Sequence, residues 1–270
     1  GIRDASWSRG LGNVYKRQIL HDHGDCSRVQ DPYSFRCIPQ VHGPVQESLQ
    51  KLIETVSIEL NSSTDNPLIF PTPDNPGPHE VVSQGNFHAE ALALVADAMS
   101  LALFELSSIS ERRIDQMLDP ARRALRPFLA ENPGLESGLM IVQYVAAASL
   151  GELRGHANPR TAFSTTTSAG QEDHVSMGAT ASWNLLEAIQ RCSEVLSCEA
   201  FVAYRAIKII EKPSSTCVSS LIRCMDNVVL PGYADRNTSE ELRTIASEFV
   251  SSSWLSVIQS MLDTPLRKSL

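Results

Sequence analysis

A chain of 270 residues that is 42% hydrophobic and only 6% aromatic can bury one large core or two small ones, built mainly from Leu, Ala, Val and Ile. A net charge of −8 argues against a nucleic-acid groove or an anionic membrane surface as partner. No window approaches the roughly 18 unbroken apolar residues of a membrane span, and the first residues lack the apolar centre of a secretion signal. The six cysteines (Cys26, Cys37, Cys192, Cys198, Cys217, Cys224) form no Cys-x-x-Cys pair. They read as reduced, buried thiols of a cytoplasmic protein.

Residues 1–18 follow neither a helical nor a strand period, and their Gly, Arg and Ser mixture is unlike the rest of the chain. We read them as non-native or disordered, a foreign translated segment, and residues 19–270 as the structured part. From Val41 the pattern turns helical: Val45, Leu49, Leu52, Ile53, Val56 and Leu60 recur at intervals of three and four. Asn61 to Pro67 ends that helix, and residues 71–80, with four prolines, predict an irregular loop. A long, largely buried helix is expected over 88–117, stopped by Asp119-Pro120. A third is expected over 137–156, capped by Ser137 and broken at Asn158-Pro159. A fourth runs from 173 to 210. Pro213 ends it, and Ser214 or Ser215 caps a shorter helix over 216–229. The last spans 238–263, with a capping box in Thr238-Ser239-Glu240-Glu241. Strand pattern is confined to short pieces near 68–70 and 81–82.

Three polar clusters interrupt the helices. In Gln30-Asp31-Pro32-Tyr33-Ser34-Phe35-Arg36-Cys37, Tyr33 and Arg36 stand three apart and share a face on a helical turn. The planar fork of Arg suits a substrate carboxylate, and a phenol beside a cation suits proton transfer. The plainer alternative is an exposed turn with a surface Arg. In Ser83-Gln84-Gly85-Asn86-Phe87-His88-Ala89-Glu90, Asn86 can cap the next helix and Phe87 can wall a pocket, or serve merely as a core residue. In Thr167 to Met177, Gln171 and Glu172 can hold an amine or imidazole. The alternative is that Glu172 and Asp173 only complement a helix dipole. His21, His23 and Cys26 imitate a metal site, but no second His/Cys pair at ligand spacing completes a tetrahedral set, and no metal is expected there. His42 and His88 are expected to be hydrogen-bonded residues at a pocket edge.

Taken in order, Val29 to Cys37, Pro39 to Gly43, Thr64-Asp65-Asn66-Pro67-Leu68, Gly85 to Glu90, Ser110-Glu111-Arg112-Arg113 and Thr167 to Met177 resemble the aromatic amino-acid ammonia-lyases, the family of histidine ammonia-lyase. The resemblance runs closely from Ile19 to Ile210. It implies an all-α, elongated bundle of long helices of the fumarase/aspartase type, assembled as a homotetramer. It also implies elimination of ammonia from an aromatic amino acid, with histidine to urocanate as the first expectation. The family's electrophile is a methylidene-imidazolone (MIO) formed from Ala-Ser-Gly, a tripeptide found nowhere in this chain. Residues 19–270 therefore resemble the C-terminal helical part, with the electrophile-bearing N-terminal half absent, and the fragment alone is expected to be inactive.

By resemblance, Arg36 binds the substrate carboxylate and Tyr33 lies near the electrophile. Gln30 hydrogen-bonds around that group, Phe87 packs against it and the substrate ring, and Glu172 with Gln171 lines the ring or amine end. Ala157 to Ser164 departs from the His-Pro-Ala-Ser-Val-Asp-Ser of histidine lyases, with Phe163 in place of an acid. A phenylalanine or tyrosine ammonia-lyase or an aminomutase is thus an alternative, and a non-catalytic helical oligomerisation module is another.

Overall fold

A computed structural model describes residues 30–71, 80–123, 125–211 and 216–259. The segment 1–18, the His21/His23/Cys26 group, most of the proline loop, the Pro213 stop with its serine caps, and residues 260–263 lie outside the described residues. The described chain is helical: α1 Tyr33–Arg36, α2 Ile38–Glu59, α3 Glu90–Leu118, α4 Pro120–Arg123, α5 Met140–His156, α6 Gly178–Ile210, α7 Thr216–Asp226, α8 Ser239–Ser251 and α9 Ser253–Gln259. Strands β1 Leu68–Phe70 and β2 Glu80–Val82 pair antiparallel, with Ile69 opposite Val81. The all-α class and both strand pieces agree with the sequence.

The chain divides into two compact units. One holds residues up to 42, 106–152 and 191 onward; the other holds 43–105 and 153–190. The first has a large aliphatic core in which Ile114 and Leu118 of α3, Val142 of α5, Phe201 and Val202 of α6, Met225 of α7 and Ile245 of α8 are buried together. The second has a lean core of Ala93, Ala96 and Ala181, packed by Leu185. Small side chains such as these let helix backbones approach closely. Residues 86–118 are long and apolar enough to cross a membrane, yet half of the most apolar 18-residue window in that stretch is buried inside the protein, as in a core helix.

The helix boundaries differ instructively from the sequence pattern. Ser137 does not cap α5: Asp235 accepts the backbone N–H groups of Ser137 and Gly138 at 2.8 and 2.9 Å, and the helix begins at Met140. Thr238 occupies the N-cap position of α8 but makes no side-chain capping bond. Glu241, its expected capping-box partner, accepts from the Leu230 N–H at 2.8 Å and from Arg236 at 2.7 Å. Partners 98 and 11 residues away have outcompeted the local caps. The last helix is interrupted at Ser252, which adopts a left-handed conformation.

Among the described cysteines, all five are free, but only Cys192 and Cys198 are buried, which corrects the expectation of uniformly buried thiols. Burial pushes the Cys198 thiol up to about 12, so it is inert.

Candidate active site

The first cluster folds as one helical turn. Pro32 precedes it, and the Pro32 carbonyl accepts the N–H groups of Phe35 and Arg36 at 3.0 and 3.2 Å. As the three-residue spacing predicts, Tyr33 and Arg36 come together, the guanidinium carbon 4.5 Å from the ring centroid. Both side chains lie toward the surface, with Tyr33 70% exposed, and Gln30 just upstream is exposed as well. Ser34 between them is buried, and its carbonyl accepts from Nη1 of Arg113 at 3.4 Å. Arg113 is in turn held by both carboxylate oxygens of Glu199, which also accepts from the Ser110 hydroxyl. Ser110 and Arg113 of that motif thus form a buried support beneath the Tyr33–Arg36 turn. Beside it, burial lowers the pKa of His42, Arg113 lowers it further, and Glu199 partly opposes them. Its Nε2 is buried without a hydrogen bond, so the expected hydrogen-bonded pocket-edge role is not seen at that atom.

The second and third clusters lie in the other unit. Asn86 to His88 form a short 3-10 turn, and Asn86 does not cap α3; its amide donates to the Ser63 carbonyl at 3.0 Å. The Asn66 side-chain oxygen accepts from the Gln84 N–H at 2.9 Å, so the Thr64 to Pro67 motif braces the Gly85 to Glu90 motif. Phe87 is 54% exposed, which removes the plain core-residue reading. It borders a shallow cleft of about 300 Å³ with Val56, Leu60, Thr64 and Leu92.

Residues 167–172 close on themselves. Thr167 and Glu172 exchange backbone hydrogen bonds at 2.9 and 3.4 Å around a turn in which Ser168 and Ala169 have positive φ. The Thr167 hydroxyl donates to the Glu172 carboxylate, and hydrogen bonds from Thr167 and then Ser168 hold that carboxyl below its usual range. Gln171 is exposed beside it. α6 starts only at Gly178 with no acid in its first turn, so the helix-dipole role for Glu172 and Asp173 fails. His88 Nε2 donates to the His174 carbonyl at 3.1 Å, and the two imidazoles stack with centroids 5.4 Å apart. That contact brings the segment carrying Phe87 to the segment carrying Glu172.

Two supports in this unit escaped the sequence pattern. Asp97, buried on α3, accepts the N–H groups of Arg160 and Thr161 at 2.9 Å each and the Thr161 hydroxyl at 2.8 Å. Asn184 of α6 donates to the His156 carbonyl at 2.7 Å and accepts from Arg160 at 3.0 Å. Together they hold the loop that leads to Glu172. A buried acid and a buried amide within helical apolar patterns are the only signals the sequence offers for them.

The long-helix scaffold is that of an all-α protein, and similarity to known proteins gives it a family. The chain belongs to the aromatic amino acid lyase family, whose match covers residues 6–227. It is 48% identical over 191 residues to a probable histidine ammonia-lyase of Halobacterium salinarum, covering 67% of this chain and 36% of that protein. With the histidine ammonia-lyase of Geobacillus sp. it shares 39% over 239 residues, covering 88% of this chain and 46% of the relative. The crystal structure of histidine ammonia-lyase from Trypanosoma cruzi superposes with a TM-score of 0.80 at 33% identity, over 86% of this chain and 45% of that one. The chain therefore spans less than half the length of these relatives.

Proposed function

We propose that this chain is the helical part of an ammonia-lyase that converts histidine to urocanate. The observation that carries the reading is the exposed Tyr33–Arg36 turn, with its guanidinium over the phenol ring, in a chain 39 to 48% identical to proteins named histidine ammonia-lyase. In this reading Arg36 holds the substrate carboxylate through two charge-assisted bonds, and Tyr33 handles a proton beside it. Glu172, kept ionised by Thr167 and Ser168, pairs with the substrate imidazole or amine with help from Gln171.

In this reading Gln30 would supply a hydrogen bond and Phe87 a packing face to a planar organic electrophile such as methylidene-imidazolone. That group supplies an electron sink, needed because the β-proton of an amino acid is barely acidic. Its Ala-Ser-Gly precursor is absent from this chain, and in this reading a longer protein provides it. Without it, the isolated chain is inactive. The complete enzyme is a cytoplasmic homotetramer acting on a small aromatic amino acid, with neither nucleic acid nor membrane as partner.

Phe163, 63% exposed where the histidine-lyase pattern has an acid, favours a second reading as a phenylalanine or tyrosine lyase or an aminomutase. Similarity to the phenylalanine aminomutase of Pantoea agglomerans, 31% identical with a TM-score of 0.76, is consistent with it. The test is to incubate the complete protein with histidine, phenylalanine and tyrosine, measuring arylacrylate absorbance and β-amino acid formation. Urocanate from histidine alone supports the first reading. Cinnamate, coumarate or a β-amino acid supports the second, and no ammonia from any of the three overturns both.

A further inference from the structure

His88, Glu90 and His174 converge in one unit, and each offers a ligand atom within 4.8 Å of the others. A carbonyl can only accept, so the 3.1 Å contact from His88 Nε2 to the His174 carbonyl places the ring hydrogen on Nε2. When the ring carries only that hydrogen, its lone pair is on Nδ1, which faces Glu90 Oε2 at 3.6 Å. That carboxylate oxygen is buried and has no hydrogen bond. Two electron-rich atoms directed at each other are relieved either by a second ring proton on His88 or by a metal ion shared between them, and His174 beside them supplies a third donor.

We propose that His88, Glu90 and His174 bind a divalent transition-metal ion of the zinc class. Two imidazoles and one carboxylate, with a further position left for water, are a donor set that Zn²⁺ accepts and that Mg²⁺ and Ca²⁺, which prefer oxygen, do not. The remaining ring N–H of His88 already donates to a backbone carbonyl, the outer contact that orients a metal-bound imidazole. Tetrahedral zinc at ordinary bond lengths places its ligand atoms about 3.4 Å apart. The cluster therefore has to contract, and the exposed His174 ring, whose Nδ1 now lies 3.4 Å from His88 Nε2, can turn to allow it. Bound there, the ion ties the segment of Phe87 to the segment of Glu172.

Calorimetric titration of the metal-free full chain with ZnCl₂ tests the site without any reference to lyase activity. One saturable site is expected, weakened tenfold or more in each of H88A, E90Q and H174Q, and absent for MgCl₂. H21A/H23A/C26S, which removes the other His/Cys group, leaves it unchanged. Far-UV circular dichroism checks that each variant is folded, and the near-isosteric E90Q and the exposed-site H174Q keep the test decisive if H88A misfolds. No zinc binding by the parent chain, unchanged affinity in E90Q and H174Q, or loss of binding in H21A/H23A/C26S overturns the proposal.

Discussion

Arg113 of α3 and Glu199 of α6, 86 residues apart, are locked through both carboxylate oxygens, and Arg113 spends a further N–H on the Ser34 carbonyl. The pair is largely withdrawn from water, with Arg113 9% and Glu199 20% exposed. Its most direct consequence is to fix the buried middle residue of the turn that presents Tyr33 and Arg36.

Removing one partner should cost more than the pair itself contributes, because the other charge is left desolvated. Arg113→Ala is expected to lose roughly 2–3 kcal/mol, below the ~3–5 kcal/mol of a fully buried pair because Glu199 keeps some solvent. Arg113→Met combined with Glu199→Leu should recover most of that loss. Urea unfolding of the single and double variants measures both, and a double variant no better than Arg113→Ala contradicts the account.

The pH dependence of stability should carry the signature of His42. Its folded pKa lies below the ordinary value of 6.5, through burial first and Arg113 second. A depressed folded value means that the unfolded chain takes up the proton first. Stability is therefore full above about 6.5 and declines as pH falls toward the folded value. His42→Gln should flatten that part of the profile, measured as thermal midpoint against pH, whereas an unchanged slope would assign the loss to other groups.

Gly138 is irreplaceable for a geometric reason. Its φ is +56°, and a Cβ there would sit 2.5 Å from the Phe128 carbonyl oxygen and 2.9 Å from the Ala130 nitrogen. Gly138→Ala is expected to destabilise by about 2 kcal/mol or more, since backbone cannot move aside as a flexible side chain can. Gly134→Ala provides the comparison: φ is +93° there, but nothing lies within 4 Å of the added atom. Its smaller drop in melting temperature isolates the conformational cost from the clash.

In the complete enzyme, Arg36→Ala should raise KM for the amino acid roughly 10- to 100-fold, the worth of a charge-assisted hydrogen bond of about 1.5–3 kcal/mol. Steady-state kinetics checks this, and an unchanged KM would refute the carboxylate clamp.

The isolated chain should self-associate. Trp183, Leu186 and Ile189 of α6 are 68%, 53% and 40% exposed at helical spacing, and Ile141, Tyr144 and Val145 of α5 are 56%, 59% and 39% exposed. Apolar patches of this kind seek cover. Multi-angle light scattering should report species above the monomer mass of 29.6 kDa, and Trp183→Lys with Leu186→Lys should shift them down. A monomer for the parent chain would contradict the expectation.

Local chemistry alone determined much of this protein. The three-and-four spacing from Val45 to Leu60, the Asp119-Pro120 stop and the short β pieces each depend on neighbours within a few residues, and so the helices could be placed approximately. The Tyr33/Arg36 spacing and the ordered motifs likewise carried the family. Only the tertiary structure decided the rest. It showed that Asp235 takes over the entrance to α5 from Ser137, that Glu241 abandons its capping box, that Glu172 rides a closed loop short of α6, and that His88 stacks on His174. Each of these is a polar contact chosen by competition between a nearby partner and one brought close by packing. Sequence spacing records the first kind of partner and is silent about the second.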